Sequence, residues 1–124
     1  MSLLLDTHVV LWWRLDSRRL HRDARRLIEA ADRVFVSAAS GWEVALKIGT
    51  GRLRLQDRFS GLVEASGFEK LPVAFEHAEQ LTALPRHHSD PFDRMLVAQA
   101  QVEGLTLVTH DRALEPYGVP VIWT

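Results

Sequence analysis

The sequence predicts an α/β fold in which helices cover both faces of a central parallel sheet. Short apolar runs of strand length alternate with helix-type patterns along the whole chain. The strand-type runs show no clear two-residue alternation, which is typical of strands buried on both faces of a parallel sheet. With 124 residues and 47% hydrophobic composition, the chain has the size of one globular domain. We therefore expect residues 1–124 to form a single domain.

The first half of the chain opens with a short strand that ends at Asp6, and a helix can begin directly at Thr7. The predicted order is SLLL (strand), THVVLWWRL (helix), HRDARRLIEAA (helix), RVFVS (strand), SGWEVALKIGTG (helix), RLRL (short extended piece) and DRFSGLVEASG (helix). Gly49 or Gly51 would end the third of these helices.

The second half continues the alternation of strands and helices. The predicted order is FEKLPV (strand), AFEHAEQLTAL (helix), LPRHHSD (loop), PFDRMLVAQAQVEG (helix), LTLVT (strand), DRALEPY (short helix) and VPVIW (strand). The PFDRMLVAQAQVEG helix has the clearest ends, because Pro91 suits a first helical turn and Gly104 suits the position after the last turn.

Composition excludes several classes of protein. The chain has no cysteine, which removes disulfides, thiolate zinc sites and cysteine nucleophiles. No apolar run approaches the roughly 20 residues that a membrane span needs. The N-terminal run has no basic segment before it and is interrupted early by Asp6, so it does not have the form of a signal peptide. We expect a cytoplasmic protein with no membrane association.

The basic residues consist of thirteen Arg and only two Lys, although the net charge is −1. Six of the Arg lie between Arg14 and Arg26. Arginine recognises phosphate groups through two hydrogen bonds, which favours a local nucleic-acid surface. A solvated helix face in an Arg-biased protein explains the same run equally well.

Four acidic residues occur where predicted strands end or helices begin: Asp6, Glu43, Asp93 and Asp111. In parallel sheets, sites form beyond the carboxyl ends of the strands, so all four can share one edge. Crowded carboxylates repel one another unless a cation lies among them. Their hard oxygens select Mg²⁺ or Mn²⁺, and such a cluster can support phosphodiester cleavage.

Helix capping is a competing explanation for the first two acids. Asp6 can cap the following helix, which accounts for it as well as a functional role does. Ser40 and Glu43 have the spacing of a capping box, and Glu43 and Lys47 have that of a helical ion pair. Lys47 can also reach a substrate phosphate, although the ion pair is the better prediction.

The last two acids also lie at predicted helix starts. Asp90 suits the N-cap and Asp93 the third helical position, so one acid suffices for capping and Asp93 is the better ligand. Asp90 can be a supporting acid. Thr109 or Asp111 can cap the short helix after the LTLVT strand. The neighbouring His87 and His88 lack the spacing of a zinc peptidase, so we expect them in a solvent-exposed loop.

Four segments in order resemble the PIN-domain family and, within it, the VapC-type toxins of bacterial toxin–antitoxin pairs. They are LLLDTHVVLWW, SAASGWEVALKIGTGRL, DPFDRMLVAQAQVEGLTLVTHD and VPVIW. The resemblance covers most of the chain. It implies an α/β/α sandwich with a central parallel sheet and a Mg²⁺- or Mn²⁺-dependent endoribonuclease activity.

The resemblance also implies roles for particular residues. The family's four acids carry over to Asp6, Glu43, Asp93 and Asp111, as catalytic residues and metal ligands. Its two supporting hydroxyls match Thr7 and Thr109. It further implies a homodimer and a cognate antitoxin whose C-terminal tail blocks the acidic groove.

RNA would have to approach a negative groove, so nearby basic side chains must offset that charge. The candidates for contacts to RNA are Arg14, Arg94, Arg112 and Lys47. Binding through such contacts weakens steeply as the salt concentration rises.

Three other functions compete with the nuclease interpretation. A haloacid-dehalogenase-like phosphatase needs Asp-x-Asp after its first strand, but His8 occupies the position two residues after Asp6. A receiver domain needs an adjacent acidic pair there, and this chain has one acid. A catalytically silent PIN-like module that only binds a partner is the main alternative.

Overall fold

A five-stranded parallel sheet forms the centre of the computed structural model, which describes residues 1–124. The strands are β1 (Ser2–Leu5), β2 (Arg33–Ser37), β3 (Glu69–Leu71), β4 (Thr106–Thr109) and β5 (Val121–Trp123). Their order across the sheet is β3-β2-β1-β4-β5, and every neighbouring pair is parallel. This arrangement confirms the predicted fold class.

Six α-helices and two 3₁₀ segments connect the strands. The helices are α1 (Thr7–Arg14), α2 (Arg22–Ala30), α3 (Ala38–Gly49), α4 (Phe59–Ala65), α5 (Phe75–Gln80) and α6 (Pro91–Glu103). The 3₁₀ segments are Leu81–Ala83 and Arg112–Tyr117. No helix combines the length and apolar character needed to cross a membrane.

The central strand β1 connects the two halves of the core. Leu3 and Leu5 belong to the cluster formed with α1, α2 and α4, whereas Leu4 belongs to the cluster formed with α6. All three side chains are completely buried, and each contributes roughly 1.5–3 kcal/mol of transfer free energy. This anchoring gives Asp6, the next residue, a defined position at the carboxyl end of the sheet.

Helix α3 begins earlier than the predicted capping box requires. Ser37, the last residue of β2, is the N-cap, and its Oγ accepts the Ala39 N–H at 2.9 Å. The Ser40–Glu43 capping box is therefore wrong, because the strand passes into the helix without a loop. Glu43 lies in the second helical turn instead of the first. Glu43 nevertheless contacts Thr7, the first residue of α1 and the one that follows Asp6.

Two smaller expectations also differ from the structure. Residues 52–55, the RLRL segment, form no strand and lie in an irregular connection. The short helix predicted after β4 is a 3₁₀ segment that contains Pro116. Helix α6 begins at Pro91, with Asp90 as N-cap and Gly104 in the left-handed conformation after the last turn, as predicted.

Candidate metal centre

Asp6 is a buried carboxylate at the carboxyl end of β1, with only 5% of its surface exposed. Its Oδ1 accepts the Val9 N–H at 2.9 Å and so caps α1. Its Oδ2 accepts the Thr109 hydroxyl from the end of β4. Burial raises the pKa of Asp6, and the hydrogen bonds from Thr109 and Val9 lower it only in part. Asp6 is thus both a helix cap and a carboxylate that gains from a nearby cation.

Glu43 reaches the same edge from α3 through Thr7. The Thr7 Oγ1 lies 2.7 Å from Glu43 Oε1 and 2.9 Å from Ser40 Oγ. On the other side, Lys47 Nζ lies 2.9 Å from Glu43 Oε2 at the predicted i,i+4 spacing. The structure therefore gives the Glu43 carboxylate an ion pair within its own helix.

Asp93 is the acid with the least compensation. Asp90 caps α6, because its Oδ1 accepts the N–H groups of Phe92 at 2.8 Å and Asp93 at 3.2 Å. The Asp93 side chain is consequently free to face the sheet edge. Burial, followed by the negative charges of Asp90 and Asp6, raises the pKa of Asp93 from 3.8 to about 7.

Asp111 lies just beyond β4 and caps the 3₁₀ segment that follows. Its Oδ1 accepts the Ala113 N–H at 3.0 Å, and its own N–H donates to Thr109 Oγ1 at 3.1 Å. The second oxygen, Oδ2, lies 3.0 Å from His88 Nε2, which also contacts Asp93 Oδ2. Thr109 thereby connects Asp111 with Asp6.

His88 is the site residue that the sequence did not predict. Its Nε2 lies 3.1 Å from Asp93 Oδ2 and 3.0 Å from Asp111 Oδ2. The expectation of a solvent-exposed side chain is wrong for His88, because the loop before α6 folds back over the two carboxylates. Its neighbour His87 is exposed as expected. No local pattern distinguishes the two histidines, so only the path of the loop separates them.

The four predicted acids form two linked groups at this edge of the sheet. Asp93 and Asp111 lie around His88, and Glu43 lies beside Thr7, the residue after Asp6. The ligand atoms of His88, Asp93 and Asp111 lie within 4.8 Å of one another. Asp6 contributes to the raised pKa of Asp93 through its charge. Glu43 is joined to this edge by the hydroxyl of Thr7, the residue after Asp6.

The candidate RNA-binding side chains differ in their exposure and in their contacts within the protein. Arg14 is half-exposed and lies 3.7 Å from Asp57. Arg112 is exposed and lies over the Trp123 ring, with its guanidinium carbon 4.3 Å from the ring centre.

Arg94, by contrast, directs its guanidinium into the protein. It donates to the carbonyl oxygens of Pro85 at 2.9 Å, Leu81 at 3.4 Å and Leu84 at 3.5 Å, and to the Tyr117 hydroxyl at 3.1 Å. The structure therefore gives Arg94 a role in holding the loop that contains His88.

A family model described as PIN domain matches residues 3–119. The chain belongs to the PIN-domain family. It is 33% identical over 122 residues to Ribonuclease VapC22 from Mycobacterium tuberculosis, a match that covers 96% of this chain and 94% of that protein. This similarity confirms the resemblance to the VapC-type members of the family.

Solved structures with the same fold are more distant in sequence. VapBC2 from Rickettsia felis, bound to a DNA fragment from its promoter, has a TM-score of 0.73 at 13% identity and covers 98% of each chain. DNA-bound VapBC from Salmonella typhimurium has a TM-score of 0.73 at 20% identity and covers 98% of this chain and 97% of that one. These likenesses establish the fold of the PIN-domain chain.

Proposed function

We propose that this PIN-domain protein is a divalent-metal-dependent endoribonuclease and the toxin of a toxin–antitoxin pair. One observation carries the proposal: Asp93, with its pKa raised to about 7, lies among Asp6, Asp90 and Asp111 with no Lys or Arg paired to it. Carboxylates held in this way gain stability from a bound cation. The name of the 33% identical relative, a ribonuclease, supports the same activity.

The donor set fits Mg²⁺ or Mn²⁺. Asp6 and Asp93 are the carboxylates that would hold the ion, and Glu43 and Asp111 would complete the site directly or through water. All four offer hard oxygen ligands, and Mg²⁺ normally keeps several of its waters, so a small set of protein ligands suffices. The bound ion would supply a nucleophilic hydroxide and stabilise charge on the scissile phosphate.

The chain's own residues orient these carboxylates. The Val9 N–H and the Thr109 hydroxyl hold the two oxygens of Asp6, which fixes the plane of its carboxylate. Thr7 does the same for one oxygen of Glu43, and Lys47 for the other. Preorganised hydrogen bonds of this kind remove the cost of reorienting the ligands during the reaction.

RNA binding would rely on Arg14, Arg112 and the neighbouring basic residues, because the acidic edge itself repels phosphates. Arg94 contributes indirectly by holding the loop that contains His88, and Lys47 is engaged in an ion pair with Glu43. Unstacked bases are the usual targets of sequence-specific RNA recognition, so we expect cleavage in single-stranded or loop regions. Binding should weaken as the salt concentration rises.

A cognate antitoxin and a second copy of the chain are the proposed protein partners. Support comes from the structural neighbours, which are toxin–antitoxin complexes. An apolar groove lined by Trp42, Phe92 and Met95 is a candidate surface for the antitoxin, because Trp42 is 60% exposed.

The deciding experiment is RNA cleavage by the purified full chain with Mg²⁺, with Mn²⁺ and with chelator. Asp6→Asn should abolish cleavage, whereas Asp23→Asn, the same exchange on the exposed surface of α2, should retain it. Cleavage that survives chelator or Asp6→Asn would contradict the proposal. Metal binding without cleavage of any RNA, together with tight antitoxin binding, would favour the catalytically silent partner-binding module.

A further inference from the structure

The imidazole of His88 occupies the gap between two of the proposed metal ligands. Its Nε2 lies almost equally far from Asp93 Oδ2, at 3.1 Å, and from Asp111 Oδ2, at 3.0 Å. The side chain is mostly shielded from solvent, with 21% of its surface exposed. A group in this position contacts the same carboxylate oxygens that a cation bridging the two residues would use.

The second ring nitrogen shows which proton His88 carries. Its Nδ1 accepts the N–H of Ser89 at 3.1 Å, so Nδ1 carries no hydrogen and Nε2 carries it. An Nε2–H group donates to carboxylates but cannot coordinate a metal. The arrangement therefore makes His88 a hydrogen-bond donor to the ligands and not a ligand itself.

The loop that carries His88 is anchored by hydrogen bonds to Tyr117 and Arg94. The His88 backbone N–H donates to the Tyr117 hydroxyl at 3.0 Å, and Arg94 Nη1 donates to the same hydroxyl at 3.1 Å. Arg94 also holds the carbonyl of Pro85 at the start of the loop. Tyr117 is buried, so these contacts fix the backbone of His88, from which the imidazole reaches the two carboxylates.

We propose that His88 competes with the metal for two of its ligands. In the metal-free protein, the Nε2–H group of His88 donates to Asp93 Oδ2 and Asp111 Oδ2. When a divalent cation binds, His88 releases both oxygens. This inference rests on the proposed metal-dependent function. Before metal binds, the donor reduces the repulsion between the two carboxylates and keeps them near each other. The metal affinity of the wild-type protein is consequently lower than the carboxylates alone would give.

The test measures Mn²⁺ binding to the full chain by calorimetry, at one pH and one ionic strength and without RNA. His88→Ala should bind Mn²⁺ about tenfold more tightly than wild type, because a charge-assisted hydrogen bond no longer has to be broken. His88→Gln can restore an N–H donor and should stay within about twofold of wild type. His87→Ala removes an imidazole from the same loop and should also leave the affinity unchanged.

The direction of the change decides between the alternatives. Weaker Mn²⁺ binding by His88→Ala would make His88 a ligand, and unchanged binding would make it a spectator; either result overturns the proposal. Absence of Mn²⁺ binding in wild type and His88→Ala alike would refute both the proposal and the metal site. Tighter binding by His88→Ala without any RNA cleavage would support the role of His88 and contradict only the nuclease function.

A second measurement uses the wild-type chain and does not depend on a variant that folds. The Nε2–H proton of His88 can be followed by NMR during titration with Mg²⁺, which is diamagnetic. Its resonance should move upfield in step with binding, as the hydrogen bonds to Asp93 and Asp111 break. A resonance that stays in place at saturating Mg²⁺ would show that His88 remains between the carboxylates and would overturn the proposal.

Discussion

Glu43 and Asp93 lie at the same acidic edge of the sheet, but neighbouring groups offset their negative charges to different degrees. Glu43 has a Lys47 ammonium 2.9 Å from one oxygen and the Thr7 hydroxyl 2.7 Å from the other. Asp93 has three acidic neighbours and a single histidine contact. The contrast teaches that only one half of the edge is neutralised by the protein itself. The other half is where we expect the proposed cation to contribute most.

This difference in charge compensation arises because the neighbours of Glu43 and of Asp93 come from different elements of the fold. Lys47 comes from the same helix as Glu43, at a spacing that brings side chains together in any α-helix. The neighbours of Asp93 come from the end of β1, from the loop before α6 and from the turn after β4. Their charges accumulate because three parallel-sheet connections end at one place.

Asp93→Asn should produce the largest loss of function. The change removes a proposed metal ligand from the half of the edge that lacks a protein cation, so we expect cleavage to fall by about a thousandfold or more. Mn²⁺ binding should be lost in parallel when it is measured by calorimetry. Glu43→Gln should have a smaller effect on both quantities, because Lys47 already offsets Glu43. An equal loss in the two variants would contradict the comparison.

The stability of the metal-free protein should depend on pH through Asp93. Its pKa is about 7 in the folded state and near 3.8 when unfolded, so the folded state holds the extra proton between these values. The contribution of Asp93 to stability is therefore full below about pH 4 and is lost as the pH rises toward about 7. The loss is at most about 4 kcal/mol.

Urea unfolding of wild type and Asp93→Asn across this pH range, with chelator present, measures that contribution. The difference between the two proteins isolates Asp93 from other titrating groups. Asp93→Asn should gain stability relative to wild type as the pH rises from about 4 to about 7 and keep a constant difference above it. A difference that does not change with pH would mean that Asp93 is not shielded as the structure shows.

Asp6→Asn and Asp6→Ala should separate the two roles of Asp6. Both substitutions remove the charge and should abolish Mn²⁺ binding. Asparagine can still accept the Val9 N–H as a helix cap, whereas alanine cannot, so we expect Asp6→Ala to be less stable than Asp6→Asn by about 1 kcal/mol. Thermal unfolding in chelator measures the difference. Equal stability of the two variants would show that the cap contributes nothing.

Lys47→Gln should make the Glu43 half of the edge resemble the Asp93 half. Removal of the ammonium leaves Glu43 uncompensated, so Mn²⁺ affinity should rise by a factor of about three, while stability in chelator falls by about 0.5–1 kcal/mol. Lys70→Gln is the matched control, since Lys70 pairs with Glu64 away from this edge. A similar change in metal affinity from both variants would point to a general charge effect.

Most of the fold followed from patterns along the chain. The five predicted strands and the helices between them are present, because short uniformly apolar runs differ in length and pattern from amphipathic helices. The predicted start of α3 at Ser40 is wrong, because β2 passes into the helix without a loop and its last residue, Ser37, is the cap. The RLRL segment was misassigned as extended because four residues carry too little pattern.

Histidines show the limit of prediction for the site. His77 and His88 both contact carboxylates, at 2.9 Å for Glu103 and 3.0 Å for Asp111. His77 is buried between α5 and α6 and joins two helices. His88 instead faces two acids from separate segments. Nothing in the local sequence separates these two environments.

The sequence by itself determined the fold class and the edge at which the acids gather. Local periodicity defines the elements, and the common direction of parallel strands brings the residues after them to one side. The tertiary structure alone decided which acids are neutralised, where Arg94 donates and that His88 lies between Asp93 and Asp111. The physical reason is that charge interactions depend on separations of a few ångströms between distant segments, and spacing along the chain does not encode those separations.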